Sequence, residues 1–341
     1  MTNSKRLTLT EAENLCVRAL LASNVSEANA RSTASALVAA EADGQKGHGL
    51  SRIPSYAAQA LSGKVDGHAA PTLSRPGTAL IRVNANSGLA YPAIDIASET
   101  LLELVKVTGV ASACIHNSHH LGQAGAHAER LANAGLVALV FTNSPKAINF
   151  WGGRNPMMGT NPIAFAAPRA DGAPLVIDLA LSKVARGKIL AAKNAGEKIP
   201  DSWALNANGE PTDDPAEAMQ GSMLPIGDAK GAALVLIVEL LAAALTGSNF
   251  GYEASSFFEA EGDSPGIGHT IVVFDPAMTS GGRFAERMGN IIAAIEHTDG
   301  ARLPGTTRLE NRQRATKAGV EISSALYKDI ETIIESGQRN V

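Results

Sequence analysis

Two helix-rich ends enclosing a strand-rich middle constrain the fold of this chain more than any single motif. Near the start, Thr10-Glu11-Ala12-Glu13 reads as a capping box, the Thr10 hydroxyl accepting an amide proton while Glu13 reaches back. Ala12, Leu15, Cys16, Ala19 and Leu20 follow at helical spacing. Ser26 is placed to cap a second helix, which ends near Asp43-Gly44, and Pro54 suits the first turn of a third. The tail from 308 to 335 also reads as helix and can pack beside the first ones. Between the ends, apolar runs at 79–83, 110–115, 136–142, 163–167, 175–179 and 270–274 read as strands. Helices are expected at 93–106, 123–134, 183–193 and 283–296. The stretches 194–225 and 250–268 read as irregular.

Composition narrows the class. A chain of 341 residues exceeds a usual single domain, so two or three structural units are expected. Aromatics are only 4% while alanine and glycine are abundant, which suits helices packed closely on a sheet and disfavours an all-β sandwich. The net charge of −4, without a long Lys/Arg run, gives no nucleic-acid surface. Cys16 and Cys114 are too few for a disulfide framework, so a reducing, cytoplasmic setting is expected. Residues 1–6 lead into the capped helix and not into an apolar signal core. The apolar run 231–247 is short for a membrane span and carries Glu239, so it reads as a buried helix.

The chemistry concentrates in histidines. Four of the eight lie in His116-Asn117-Ser118-His119-His120-Leu121-Gly122-Gln123-Ala124-Gly125-Ala126-His127, where a strand runs out. His48 sits between two glycines, four residues before Arg52. An imidazole exchanges protons near neutral pH, and a guanidinium fork matches a carboxylate. A proton donor one turn from an anion clamp points to work on a small acid. No metal site is expected: no cysteine accompanies the cluster and no carboxylate stands at HExxH spacing. No GxGxxG follows a strand, so pattern alone gives no Rossmann site. Gly227-Asp228-Ala229-Lys230-Gly231 can hold a phosphate on helix amides and a lysine, or can be a plain turn with a solvated lysine.

Gly47-His48-Gly49-Leu50-Ser51-Arg52, Asn117-Ser118-His119-His120, Gly159-Thr160-Asn161-Pro162-Ile163-Ala164, Asp178-Leu179-Ala180 and Ala185-Arg186-Gly187-Lys188 occur in one order. Together they resemble the malate/L-lactate dehydrogenase family, which includes ureidoglycolate and sulfolactate dehydrogenases. Val238-Glu239-Leu240-Leu241-Ala242, Leu245-Thr246-Gly247 and Asn249-Phe250 resemble its branch of Δ1-piperideine-2-carboxylate/Δ1-pyrroline-2-carboxylate reductases.

The resemblance implies an α/β (α+β) fold that is not a Rossmann domain. A mainly antiparallel sheet binds NADPH or NADH, a helical domain is built from both chain ends, and the protein is a homodimer. The expected division is 1–75 plus 283–341 for the helical domain and 76–282 for the sheet-containing region. The resemblance places the substrate carboxylate on Arg52 and Thr160 and makes His48 the proton donor, with His120 assigned that role elsewhere in the family. It places cofactor contacts at His120, Asp178, Leu179, Ala180, Lys230, Asp275, Arg302, Leu303, Pro304 and Gly305. The implied activity is NAD(P)H-dependent reduction of small cyclic α-imino acids. A malate/L-lactate-type dehydrogenase of an open-chain 2-hydroxy acid and a catalytically silent, ligand-binding member are the alternatives. Two positions depart from the imine-reductase pattern: Gly47 stands where the family has Ser, and Lys188 where that branch has the Asp of a Ser-His-Asp relay.

Overall fold

The computed structural model describes residues 4–338. Met1, Thr2 and Asn3, the beginning of the segment read as lacking a signal core, lie outside them. A seven-stranded sheet forms the centre, in the spatial order Thr72–Gly77, Leu80–Asn84, Val110–Ser118, Ile267–Phe274, Val137–Thr142, Ile163–Ala167, Leu175–Leu179. Every neighbouring pair is antiparallel except Leu80–Asn84 with Val110–Ser118, which are parallel and joined through the helix Ala90–Thr108. This is the mainly antiparallel α/β arrangement that the resemblance implied. The helices Ala90–Thr108 and Ala124–Asn133 bury Ile94, Leu101, Val105 and Leu131 against Ile81, Ile115, Val140 and Ile271 of the sheet.

A second core joins the two chain ends. Leu15, Leu20, Leu37, Ile53 and Tyr56 pack with Ala315, Val320, Ile330 and Ile334. The strand Ser4–Leu7 pairs antiparallel with Val320–Ser323 and fastens the ends together. This strand corrects two expectations. The capping box belongs to Thr8 and Glu11, not Thr10 and Glu13, because the paired strand delivers the chain in extended form to Thr8. The tail is not one helix: Thr306–Ala318 stops at Gly319, the Val-Glu-Ile-Ser alternation forms the strand, and Ser324–Gln338 resumes the helix.

A third core lies under a small four-stranded sheet of Ile148–Asn149, Pro156–Met158, Ala204–Leu205 and Ser222–Met223, and includes Val235 and Val238 of the helix Asp228–Glu239. The stretch 194–225 therefore carries more order than its composition implied, including a helix Pro215–Gln220 capped by Asp214. Among the described residues, no helix is long and apolar enough to cross a membrane.

Candidate active site

The helix Glu27–Ala42 is capped by Ser26 and ends at Asp43. Two 3-10 turns, Lys46–His48 and Leu50–Arg52, then lead directly into the helix Ile53–Ser62, whose first turn holds Pro54. Buried Glu41 accepts the Leu50 amide proton at 3.0 Å and lies against Gly49, where a side chain would collide with its carboxylate. That close approach fixes the backbone immediately after His48. On the facing side, Val110–Ser118 ends with Ser118 bonded to His269 at 2.9 Å, and the chain turns so that His119 and His120 point back into the protein.

The two turns bring the imidazoles together. His48 Nδ1 lies 3.1 Å from His120 Nε2, with the rings stacked 5.1 Å apart. His120 Nδ1 lies 2.6 Å from the Tyr56 hydroxyl, which lies 3.3 Å from that of Tyr91. Burial, then the Arg52 charge, pushes the His48 pKa down to about 4. Burial followed by Arg52, His48, His119 and His269 holds His120 well below the usual histidine range. Both rings are neutral at pH 7.

Arg52 stands beside them. Its Nε donates to the Gly47 carbonyl at 2.6 Å, and its guanidinium lies under the Phe258 ring, 4.6 Å from the centroid. Its Nη1 is buried without a hydrogen-bond partner among the described residues. An unmatched buried donor costs roughly 1–3 kcal/mol, which any anion reaching it can relieve. Phe257 packs against His119 and His120. The loop carrying both phenylalanines is clipped to the helix Ile53–Ser62 by Gln59 and by Lys64, whose ammonium donates to the carbonyls of Ser256, Glu259 and Glu261.

The four clustered histidines separate in the fold. His116 pairs across to Asn84 on the sheet, His127 bonds the Leu121 carbonyl, and His119 is fully buried behind His120. Thr160 sits in a neighbouring polar knot. Its amide donates to Ser144 Oγ at 3.1 Å, while Asn161, Asn143 and the Gly251 amide converge on buried Glu239. The loop from Gly251 to Phe258 links this knot to Arg52 and His120.

A cleft of about 650 Å³ opens nearby, lined by Asp178, Leu179, Arg302, Leu303, Pro304 and Gly305 together with Gln45 and Gln123. Six of the cofactor positions expected from the resemblance thus share one cavity. Of its lining residues, Gln45 lies three residues before His48 and Gln123 three after His120 in the chain. Asp178 accepts the Gly125 amide proton at 2.8 Å, and a side chain at 125 would crowd that carboxylate. Ala180 continues past the strand to Leu181, whose amide bonds the Thr160 carbonyl. The turn before the helix Asp228–Glu239 is tied to this segment through the Ile226 amide and the Leu181 carbonyl, and Lys230, in the first turn of that helix, is exposed. Asp275 is placed apart. It follows Phe274, which pairs with Val110, at the end of the strands opposite the histidines, and its carboxylate caps the helix Pro276–Ser280. Lys188 lies exposed in the helix Arg186–Ala195, and His120 is what orients His48.

Sequence reasoning missed Tyr56, Tyr91, Lys64, Phe257 and Phe258. Tyr56 left one signal: it follows Arg52, the residue that caps its helix, by four positions, about one helical turn.

Paired imidazoles beyond the end of an inner strand, with a guanidinium beside them and a cleft of this size in the same structure, are groups that can do acid/base work on a small anion. Residues 7–331 match the family model described as malate/L-lactate dehydrogenase. A (2R)-3-sulfolactate dehydrogenase (NADP(+)) from Chromohalobacter salexigens is 53% identical, over 96% of this chain and 97% of its own. A Δ1-pyrroline-2-carboxylate/Δ1-piperideine-2-carboxylate reductase from Pseudomonas putida is 37% identical, over 96% and 97%. The crystal structure of Δ1-piperideine-2-carboxylate reductase from Pseudomonas syringae pvar. tomato superposes with a TM-score of 0.90 at 36% identity, covering 97% of this chain and 99% of that one. The chain belongs to the malate/L-lactate dehydrogenase family. It is an NAD(P)-dependent oxidoreductase.

Proposed function

We propose that this chain interconverts a small 2-hydroxy acid and its 2-oxo acid with NADP, and that 3-sulfolactate, a compact dianion, is the first substrate to try. What carries the reading is the neutral His48–His120 pair beside an Arg52 whose Nη1 has no partner among the described residues. The cleft suits the cofactor chemically: Asp178 can accept from hydroxyl or amide donors, Arg302 and the amides that begin the helix Thr306–Ala318 can meet phosphates, and Leu179, Leu303 and Pro304 give apolar contact. NADP bound there supplies the hydride acceptor or donor.

The protein's own groups do the rest. Arg52 holds the carboxylate and so fixes C2 near His48. In oxidation, His48 Nε2 takes the proton of the C2 hydroxyl; in reduction it returns that proton to the carbonyl oxygen. A ring held neutral by burial is ready to accept, as hydroxy-acid oxidation requires at pH 7. Imine reduction instead needs a proton maintained on nitrogen, and here the relay residues of that branch are Gly47 and an exposed Lys188. The 53% identity to a sulfolactate dehydrogenase supports the same choice. The homodimer implied by the resemblance is part of this proposal, and sedimentation of the purified chain reads it directly.

The test is kcat/KM with NADP(H) and NAD(H) for sulfolactate, malate, lactate and their oxo acids, beside Δ1-pyrroline-2-carboxylate and Δ1-piperideine-2-carboxylate. The proposal expects sulfolactate with NADP to lead. A cyclic imine turned over faster than every oxo acid contradicts it and restores the imino-acid reading.

A further inference from the structure

The imidazole pair does not end at His120. A line of hydrogen bonds runs from His48 through His120 and Tyr56 to Tyr91, at 3.1, 2.6 and 3.3 Å. All three inner members are buried, and His48 Nε2, at the outer end, has no protein partner among the described residues. We propose that Tyr56 is a positioning residue that sets the tautomer of His120, so that the two imidazoles act as one proton-exchanging unit with His48 Nε2 as its outlet.

The line admits two self-consistent proton patterns, each holding four protons. In the donating pattern, Tyr91 donates to the Tyr56 oxygen, Tyr56 to His120 Nδ1 and His120 Nε2 to His48 Nδ1, so His48 carries its proton on Nε2 and can give it. In the accepting pattern, His48 Nδ1 donates to His120 Nε2, His120 Nδ1 to the Tyr56 oxygen and Tyr56 to Tyr91, so His48 Nε2 is bare. A proton taken at His48 Nε2 in the accepting pattern is balanced when the Nδ1 proton crosses 3.1 Å to His120 Nε2. His48 is then neutral again, and the charge rests on His120, whose Nδ1–H is held by the Tyr56 oxygen. A phenol serves here because it both donates and accepts, which neither phenylalanine nor a carboxylate does.

The surroundings make this partner necessary. The groups facing the pair are Arg52 and Tyr56 from the turn and helix at 50–62, Tyr91 from Ala90–Thr108, His119 from the segment after Val110–Ser118, and His269 from Ile267–Phe274. Arg52 and the neighbouring imidazoles all disfavour a cation on His120. Among the described residues, the Tyr56 oxygen is the group in bonding contact that stabilises it at Nδ1. The second imidazole with its phenol thus stands where a carboxylate would otherwise orient the first.

This inference rests on His48 being the residue that exchanges a proton with substrate, so its test includes an arm that needs no substrate. In the cofactor-free protein labelled with ¹⁵N-histidine, Tyr56→Phe is expected to move the ring nitrogen shifts of both His120 and His48, although the Tyr56 hydroxyl bonds His120 and not His48. Movement confined to His120 overturns the relay while leaving the substrate proposal standing. In turnover, the same variant is expected to lose about 10- to 100-fold in kcat with little change in KM. The acid limb of the oxidation profile is expected to move about one unit lower, because the cationic pair has lost an acceptor. A packing role alone leaves that limb in place, and an unmoved limb overturns the proposal. Tyr91→Phe, which removes only the far hydroxyl, is expected to shift the limb the same way by less. If Tyr56→Phe does not fold, an unmoved limb in Tyr91→Phe counts against the relay.

Discussion

Arg52 has three different faces: Nε tied to the Gly47 carbonyl, a flat side under Phe258, and Nη1 without a partner among the described residues. Lysine keeps the charge but loses the planar fork and the stacking. Arg52→Lys is expected to lower kcat/KM for the acid by roughly 10- to 1000-fold, a loss of about 1.5–4 kcal/mol, with NADPH affinity nearly unchanged. Unaltered steady-state kinetics for the acid would remove Arg52 from the site. His48 and Arg52 were legible in the sequence because their side chains carry their chemistry openly and lie one turn apart. Tyr56 and Phe257 were not, because an aromatic on the inner face of a helix or in an irregular loop reads as packing until a partner is seen. Asp275 shows the converse: an acid after a strand and before Pro276 is also an N-cap, and here its carboxylate bonds the amides of Ala277 and Met278.

Among elements, the helix Thr306–Ala318 is held by charge more than by apolar contact. Arg308 and Arg312 reach Asp43 and Glu129 at 2.6 to 3.2 Å, joining this helix to the end of Glu27–Ala42 and to Ala124–Asn133. Burial alone raises the Glu129 carboxyl, but its bonds from Arg308 and Arg312 outweigh that and hold it below its usual range. The turn that lines the cleft proposed for the cofactor leads straight into this helix. Removing one partner of a buried pair strands the other, at a cost of about 3–5 kcal/mol. Arg308→Met is therefore expected to lower the denaturation midpoint and to weaken NADPH binding, read by calorimetry and fluorescence titration. Stability equal to wild type would show that the cluster holds nothing in place. The strands Ile163–Ala167 and Leu175–Leu179 were legible at their ends, being apolar runs between turn residues. The strand Val320–Ser323 was not, because its pairing with Ser4–Leu7 spans nearly the whole chain and leaves no local mark.

Across the whole molecule, buried neutral histidines make stability depend on pH. Burial pushes His119 and His269 down to about 3, below the value of 6.5 expected in the unfolded chain. The unfolded state therefore binds these protons first, so their contribution is complete above pH 6.5 and is lost as pH falls toward 3. At pH 5 the loss is about 2 kcal/mol for each ring. Urea midpoints should fall between pH 7 and pH 5, and equal midpoints would contradict the buried neutral assignment. The same neutrality underlies the catalytic account, whose central claim is that His48 exchanges the substrate proton while His120 supports it from behind. The most direct measurement is turnover and NADPH binding, determined separately, for His48→Ala and His120→Ala. The account expects His48→Ala to bind NADPH normally and to lose about 100- to 10,000-fold in kcat. A His48→Ala enzyme with near-normal kcat, beside an inactive His120→Ala that still binds NADPH, would contradict it.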